Sequence, residues 1–244
     1  MQNCKYGLIM CINQEKEHCC HNCNHRRASL FYNLNVHDLD IINEGRSMVT
    51  YGSGEVILKR NSKPFGLYCL QKGKVKISRL GINGKEHILE LKKPVEFIGL
   101  RALLSGNHYH ATATAMEDAS LCIIERDKIF KIIRNNPSLS LLTLGMIAEK
   151  YSETELRMIS LLQKHIRGRM ADALLQINET YGSAQDGRLN LQIKRSDLAA
   201  LANMNTANAI RTLSSFAQEG IVEVDKRNIR VRNWTTLRMI SDKG

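Results

Sequence analysis

Proline and large aromatics are scarce in this 244-residue chain, which has 3 Pro, a single Trp and 5% aromatics overall. With 43% hydrophobic and 24% charged residues, that scarcity excludes collagen-like and Pro-rich disordered classes and leaves room for one or two compact domains. No apolar run approaches the roughly 20 residues that cross a bilayer, so no membrane association is expected. The start, Met1-Gln2-Asn3-Cys4-Lys5-Tyr6, lacks the apolar stretch and small-residue cleavage site of a secretory signal. The expected location is the cytoplasm, where thiols stay reduced. Catalytic signatures are missing as well: there is no nucleophile–base pairing, no Walker loop and no H-E-x-x-H. His108 and His110 read as solvated loop residues, so no enzyme is expected.

Two things are present in excess. Lys and Arg number 35 against 24 Asp and Glu, a net charge of +11 that attracts polyanions. Five of the 7 cysteines (Cys4, Cys11, Cys19, Cys20, Cys23) precede residue 24. An odd total in a reducing compartment argues against a disulfide framework and favours metal or redox chemistry.

The periodicity divides the chain into four parts. Residues 1–30 show no regular apolar period and read as a Cys-rich segment that something else must order. Residues 31–136 open with a helix capped by Asn35. Short β-rich runs follow from Val49 (Val56–Leu58, Leu67–Leu70, Val75–Ile77, Ile88–Leu91, Leu121–Ile124), punctuated by Gly52, Gly54, Gly73, Gly81, Gly84 and Gly99, the pattern of a sandwich or roll. Residues 137–166 form one long helix in which Leu144, Ile147, Ala148, Tyr151, Met158, Leu162 and His165 recur at helical spacing. Such a stripe packs most economically on its own copy across a two-fold axis, with Glu155 interrupting the seam. Residues 167–244 begin with a helix after Gly168 and become a small unit of their own.

Within that unit, residues 195–216 read as two helices joined by a tight turn. Leu198, Leu201 and Ala202 face inward, Ala199 allows close approach, and Asn203 suits a left-handed turn position. Asn205 then caps a second helix with Ala209, Ile210, Leu213 and Phe216 inside. Thr206, Asn208, Arg211 and Ser215 line its outer face, side chains that hydrogen-bond base edges and phosphates. A hairpin follows, Ile221–Val224 and Ile229–Val231, and Lys194, Arg195, Lys226, Arg227, Arg230 and Arg232 flank the helix at positions suited to the DNA backbone.

A glycine-punctuated roll, a long dimerising helix and a winged helix-turn-helix in this order resemble the Crp/Fnr family of bacterial transcription regulators. The most specific stretches are Glu96-Phe97-Ile98-Gly99-Leu100 with Leu104-Ser105-Gly106, and Arg195-Ser196-Asp197-Leu198 through Ile210-Arg211. The resemblance implies an α+β fold with an N-terminal double-stranded β-helix (jelly-roll-like), a homodimer on a near-palindromic DNA site, and contact with RNA polymerase. Cyclic AMP is not expected, because the Arg-Ser pair that holds its phosphate in the family is replaced by Tyr109-His110, although Arg101 is nearby. Ala207 stands where the family commonly has a Glu, which implies a different half-site.

The chain looks closest to the cysteine-bearing Fnr-like branch, whose [4Fe–4S] cluster uses a C-x2-C-x5-C group and one distant Cys. Cys20, Cys23 and Cys122 match, whereas Ser29 occupies the third N-terminal position. The resemblance leaves Cys19, Cys11, Cys4 or one of His18, His21 and His25 to complete a cluster. Zinc binding, thiol switching or a vestigial segment are the alternatives, and Cys69 and Cys122, judged alone, read as ordinary buried thiols. The expectation is a DNA-binding regulator responsive to redox state or oxygen. The alternative is a metal-free module with its effector in the roll.

Overall fold

The computed structural model describes residues 20–23 and 25–244. Residues 25–34 include a 3-10 turn, Arg26–Ala28, and pack Leu30, Phe31 and Leu34 against Leu67 and Phe97 of the roll. Helix α1 (Val36–Glu44) begins where the Asp38 N–H donates to Asn35 Oδ1 at 2.8 Å, satisfying one of the donors a helix start leaves open.

The roll is two four-stranded antiparallel sheets. One has the order β1 (Arg46–Tyr51), β8 (Ala119–Glu125), β3 (Gly66–Lys72), β6 (Phe97–Ile98); the other runs β2 (Val56–Leu58), β7 (Thr112–Ala115), β4 (Val75–Leu80), β5 (Glu86–Lys92). Leu70, Val75, Leu121 and Ala115 are buried between them. Every β-run read from the sequence lies in a strand. The roll also contains β1 from Arg46, the short β6, β7, and helix α2 (Leu100–Ser105). Strand β7, Thr-Ala-Thr-Ala, alternates in burial but has side chains too small to give a strong apolar signal.

Helix α3 (Arg126–Asn135) leads through Asn136, which caps the next helix by accepting from the Leu139 N–H at 3.0 Å. Helix α4 (Pro137–Gln163) spans 27 residues, about 40 Å at 1.5 Å per residue. It ends at Gln163, short of the expected 166, because Lys164 takes an extended backbone and turns its Nζ to Asp172, 2.8 Å away. His165, expected in the seam, is instead the N-cap residue of α5 (Ile166–Tyr181), which contains Gly168 instead of following it.

The C-terminal unit consists of α5, α6 (Arg195–Leu201), α7 (Thr206–Gln218), the hairpin β9 (Val222–Asp225) and β10 (Asn228–Val231), and α8 (Trp234–Lys243). Its core, including Met170, Leu174, Leu198, Leu213 and Phe216, is continuous with Ile88 and Leu91 of β5. The unit is therefore docked on the roll. A charge pair between Lys76 Nζ and Asp197 Oδ1 at 2.7 Å closes the joint, with both side chains largely buried. Burial alone lowers the Lys76 proton affinity, but Asp197 and Glu86 reverse this and hold it above the usual lysine value. Among the described residues no helix is long and apolar enough to cross a membrane.

Candidate functional site

The helix-turn-helix is built as its sequence dictates. Asn203 takes a left-handed backbone, φ 51°, and Asn205 Oδ1 accepts from the Asn208 N–H at 2.7 Å, which starts α7. Ala209, Leu213 and Phe216 are buried with Thr212. Ile210 is not: it is 50% exposed. The packing stripe of α7 runs through positions 209, 212, 213 and 216, and Ile210 falls one residue beyond it, beside Arg211 on the outward face.

Thr206 and Arg211 are exposed, and Arg211 Nη2 donates to Asn208 Oδ1 at 2.7 Å. A guanidinium oriented by an amide on one helix face is suited to hydrogen-bonding a base edge. Ser215 is engaged otherwise. Its hydroxyl accepts from Arg167 at 2.8 Å and donates to Glu219 at 2.6 Å. The Arg167 hydrogen bond holds the Glu219 carboxyl down at about 2. Ser215 therefore braces α7 against α5.

Arg195 also has an internal role: its Nη2 donates to the Lys226 carbonyl at 2.6 Å, tying the start of α6 to the turn of the wing. That turn is tight, with Lys226 at φ 50°. Arg230 pairs with Asp186 at 2.7 Å and Arg232 with Glu223 at 2.7 Å, which neutralises two of the candidate phosphate contacts. Lys194, Lys226 and Arg227 are exposed around the reading helix.

The long helix α4 buries only Leu139 and Thr143 in this chain. Leu144, Tyr151, Met158 and Leu162 are 57–78% exposed. Together with Leu141, Ala148 and Glu155 they alternate at three and four residues, which is the heptad spacing of a two-helix seam. Tyr151 hydrogen-bonds Glu155 one turn along the stripe, which raises the phenol's proton affinity. On the opposite side of α4, Arg157 donates to the carbonyls of Leu89 at 2.6 Å, Ile88 at 2.8 Å and Leu201 at 3.3 Å.

Cys20, Cys69 and Cys122 belong to one buried cluster, with Phe31, Leu39, Ile42, Phe97 and, at the start of α4, Leu139. Cys20 is fixed by its backbone N–H donating to Asn43 Oδ1 at 2.9 Å. Cys69 and Cys122 are directly paired across β3 and β8. Gln71, two residues from Cys69, donates to the Cys69 sulfur at 3.5 Å and accepts from Cys23 Sγ at 3.7 Å. Burial pushes the Cys69 thiol up to about 12, with added repulsion from Cys122, Cys23 and Cys20. Burial also raises Cys122, while Arg46 opposes the rise by donating to its sulfur at 3.4 Å.

Ser29 is used by the backbone: its hydroxyl donates to the Arg26 carbonyl at 2.8 Å and accepts from the Phe31 N–H at 3.2 Å. His21 faces Asp40 at 2.8 Å. Cys19, Cys11, Cys4 and His18 lie outside the described residues. Cys69, read as an ordinary buried thiol, is buried as expected, and the register places it beside Cys122.

In the roll, Gly99 has φ 88° and a Cβ there would sit 3.0 Å from the Tyr109 ring. Tyr109 is buried against this glycine, whereas Arg101 and His110 are exposed.

The family model described as the cyclic nucleotide-binding domain matches residues 48–136, and that of the Crp-like helix-turn-helix domain matches residues 168–240. The chain is 28% identical over 215 residues to the cyclic AMP receptor protein of Thermus thermophilus, covering 88% of this chain and 97% of that protein. It is 22% identical over 229 residues to the anaerobic regulatory protein of Aggregatibacter actinomycetemcomitans, covering 91% and 87%. The fold is that of FixK2 from Bradyrhizobium japonicum, with a TM-score of 0.72 at 23% identity over 80% of this chain and 96% of that one. A nucleotide-binding-type roll followed by a Crp-like helix-turn-helix, matched along nearly the whole length of relatives that regulate transcription, makes this chain a transcription regulator of the Crp/Fnr family and not an enzyme.

Proposed function

We propose that this regulator works in the cytoplasm as a homodimer on a near-palindromic DNA site, with RNA polymerase as its further partner, and that it responds to oxygen or redox state through its cysteines. The observation that supports the sensing reading is that Cys20 and Cys122 lie in the packing cluster that reaches Leu139 of α4, with Cys23 hydrogen-bonded to Gln71 of the neighbouring strand.

The donor set fits an iron–sulfur cluster. Thiolates suit soft metals, Cys20 and Cys122 are buried among apolar side chains, and Arg46 places positive charge against the Cys122 sulfur. Among the described residues no three His, Cys, Asp or Glu side chains stand close enough to hold a single metal ion. When bound, the cluster supplies oxygen-sensitive iron and sulfide. The chain's own part is mechanical: residues 20–34, once held against the roll, pack Leu30, Phe31 and Leu34 beside Leu139. They also approach the seam helix at Leu142 and Met146, across a cavity lined by Arg27, Ser29 and Tyr32. Ordering this segment favours the α4 position that closes the seam, where Glu155 keeps association marginal. Closure sets the two Arg211 side chains about 34 Å apart, one turn of DNA.

The metal-free alternative places an effector in the roll, but the space beside Gly99 is taken by Tyr109, and the residue that pairs a cyclic nucleotide's phosphate in the family is missing. Gel-shift titrations of anaerobic and air-exposed protein test the proposal. DNA binding should be at least tenfold tighter in one state, and the difference should vanish in Cys20→Ser. Equal binding in both states overturns the sensing reading and leaves DNA binding intact.

A further inference from the structure

We propose that Cys69 is the fourth thiolate of the site, completing Cys20, Cys23 and Cys122 where the resemblance to the Fnr-like branch implies a ligand and the chain has Ser29. The inference rests on the reading that these cysteines hold a [4Fe–4S] cluster.

Register is the first support. Cys69 on β3 is paired with Cys122 on β8, so the two Cα atoms lie about 4.5–5.5 Å apart with side chains on the same face of the sheet. Whatever binds Cys122 from that face therefore meets Cys69. Gln71 is the second support. It follows Cys69 by two residues, hence on the same face, and its one amide donates to Cys69 while accepting from Cys23. Cys23 and Cys69 are thus bridged by one side-chain amide, 3.7 Å from the first sulfur and 3.5 Å from the second. Cys20 closes the set from the loop side, inside the cluster that holds Cys69 and Cys122.

Chemistry points the same way. Four thiols from three distant segments come together, Cys20, Cys69 and Cys122 in one buried cluster and Cys23 joined to Cys69 through Gln71. Nothing in ordinary packing requires four sulfurs there, since Val or Ala would fill the space without a titratable group. A metal cluster reverses the balance, because each thiol gives up its proton to a metal bond. Arg46 beside Cys122 and the Gln71 N–H beside Cys69 then donate to thiolate sulfur. Ser29 is not a substitute ligand, because its hydroxyl closes the turn between Arg26 and Phe31.

The test is anaerobic reconstitution of the full chain with iron and sulfide, followed by iron and sulfide analysis and visible absorption. Wild type should hold about four iron and four sulfide per protomer. Cys69→Ala should lose the cluster as completely as Cys122→Ala does, while Cys19→Ala and Cys11→Ala keep it. Cys69→Ser keeps the side-chain volume and guards against misfolding, which circular dichroism and thermal unfolding will register. A folded Cys69→Ser should bind little iron or show an altered electron paramagnetic resonance spectrum after reduction. Wild-type iron and an unaltered spectrum in folded Cys69→Ser, with loss in Cys122→Ala, overturns the role of Cys69 while the cluster reading stands. A wild type that takes up no iron overturns both.

Discussion

The reading surface and the cysteine site are made in opposite ways. Thr206, Asn208 and Arg211 lie within six residues of one another on a single helix whose cap, turn and packing stripe are written in its own sequence. Cys20, Cys69 and Cys122 come from a surface segment and two strands, and only the β3–β8 register and the packing of residues 20–34 bring them together. A locally encoded surface tolerates change elsewhere in the fold. A group gathered from distant segments exists only while those segments are assembled.

The strongest way to break the comparison is at the helix that joins the two regions. Met158→Asp with Leu162→Asp should make the protein monomeric by analytical ultracentrifugation and weaken operator binding more than about 100-fold, because two half-sites no longer bind as one. Arg211→Ala separates the regions next. DNA affinity should fall by about 1–3 kcal/mol in gel-shift titration, equally with and without air, with iron binding unchanged; a change in iron content would show that the regions are not independent.

The cysteine site should have its own pH signature in the metal-free protein. The folded Cys69 thiol keeps its proton to about 12, above its ordinary value of 9.0, so the folded state binds the proton more tightly than the unfolded one. The stability this contributes is complete below pH 9 and is lost as pH rises through the folded value. Thermal unfolding should show about 2 kcal/mol less stability at pH 10.5 than at pH 8 from this group, a loss read as the difference between wild type and Cys69→Ala. In the reading surface, Asn205→Ala should cost about 1 kcal/mol of stability by removing the α7 cap, with no effect on iron binding.

The smallest expected effect sharpens the roll. Val95 has φ 82° in a tight turn after Pro94 whose closing bond runs from the Glu96 N–H to the Lys93 carbonyl at 3.2 Å. A β-branched residue is strained there. Val95→Gly should be neutral or stabilising by up to about 1 kcal/mol in denaturant unfolding.

Legibility followed the same division. Asn35, Asn203 and Asn205 were readable because caps and left-handed turns depend on a few adjacent residues, and the β-runs were readable from their own apolar content. Ile210 was misplaced because a one-residue shift in the stripe is invisible without the partner helices. His165 matched the spacing of α4, but the Lys164–Asp172 pair draws the chain away just before it. Ser215, Arg230 and Arg232 have the right chemistry for DNA, yet Arg167, Glu219, Asp186 and Glu223 engage them, and no sequence spacing reveals that. The neighbours of Cys69 were hidden most completely, since they lie 46 to 53 positions away along the chain.

Arg157 gives α4 two jobs that cannot be performed separately. One face of the helix offers Tyr151, Met158 and Leu162 to a partner, while between them, on the other face, a single guanidinium grips carbonyls of the roll at Ile88 and Leu89 and of the DNA-binding unit at Leu201. The same guanidinium thus ties the helix, the roll and the DNA-binding unit into one mechanical element, so that none of the three turns without the others.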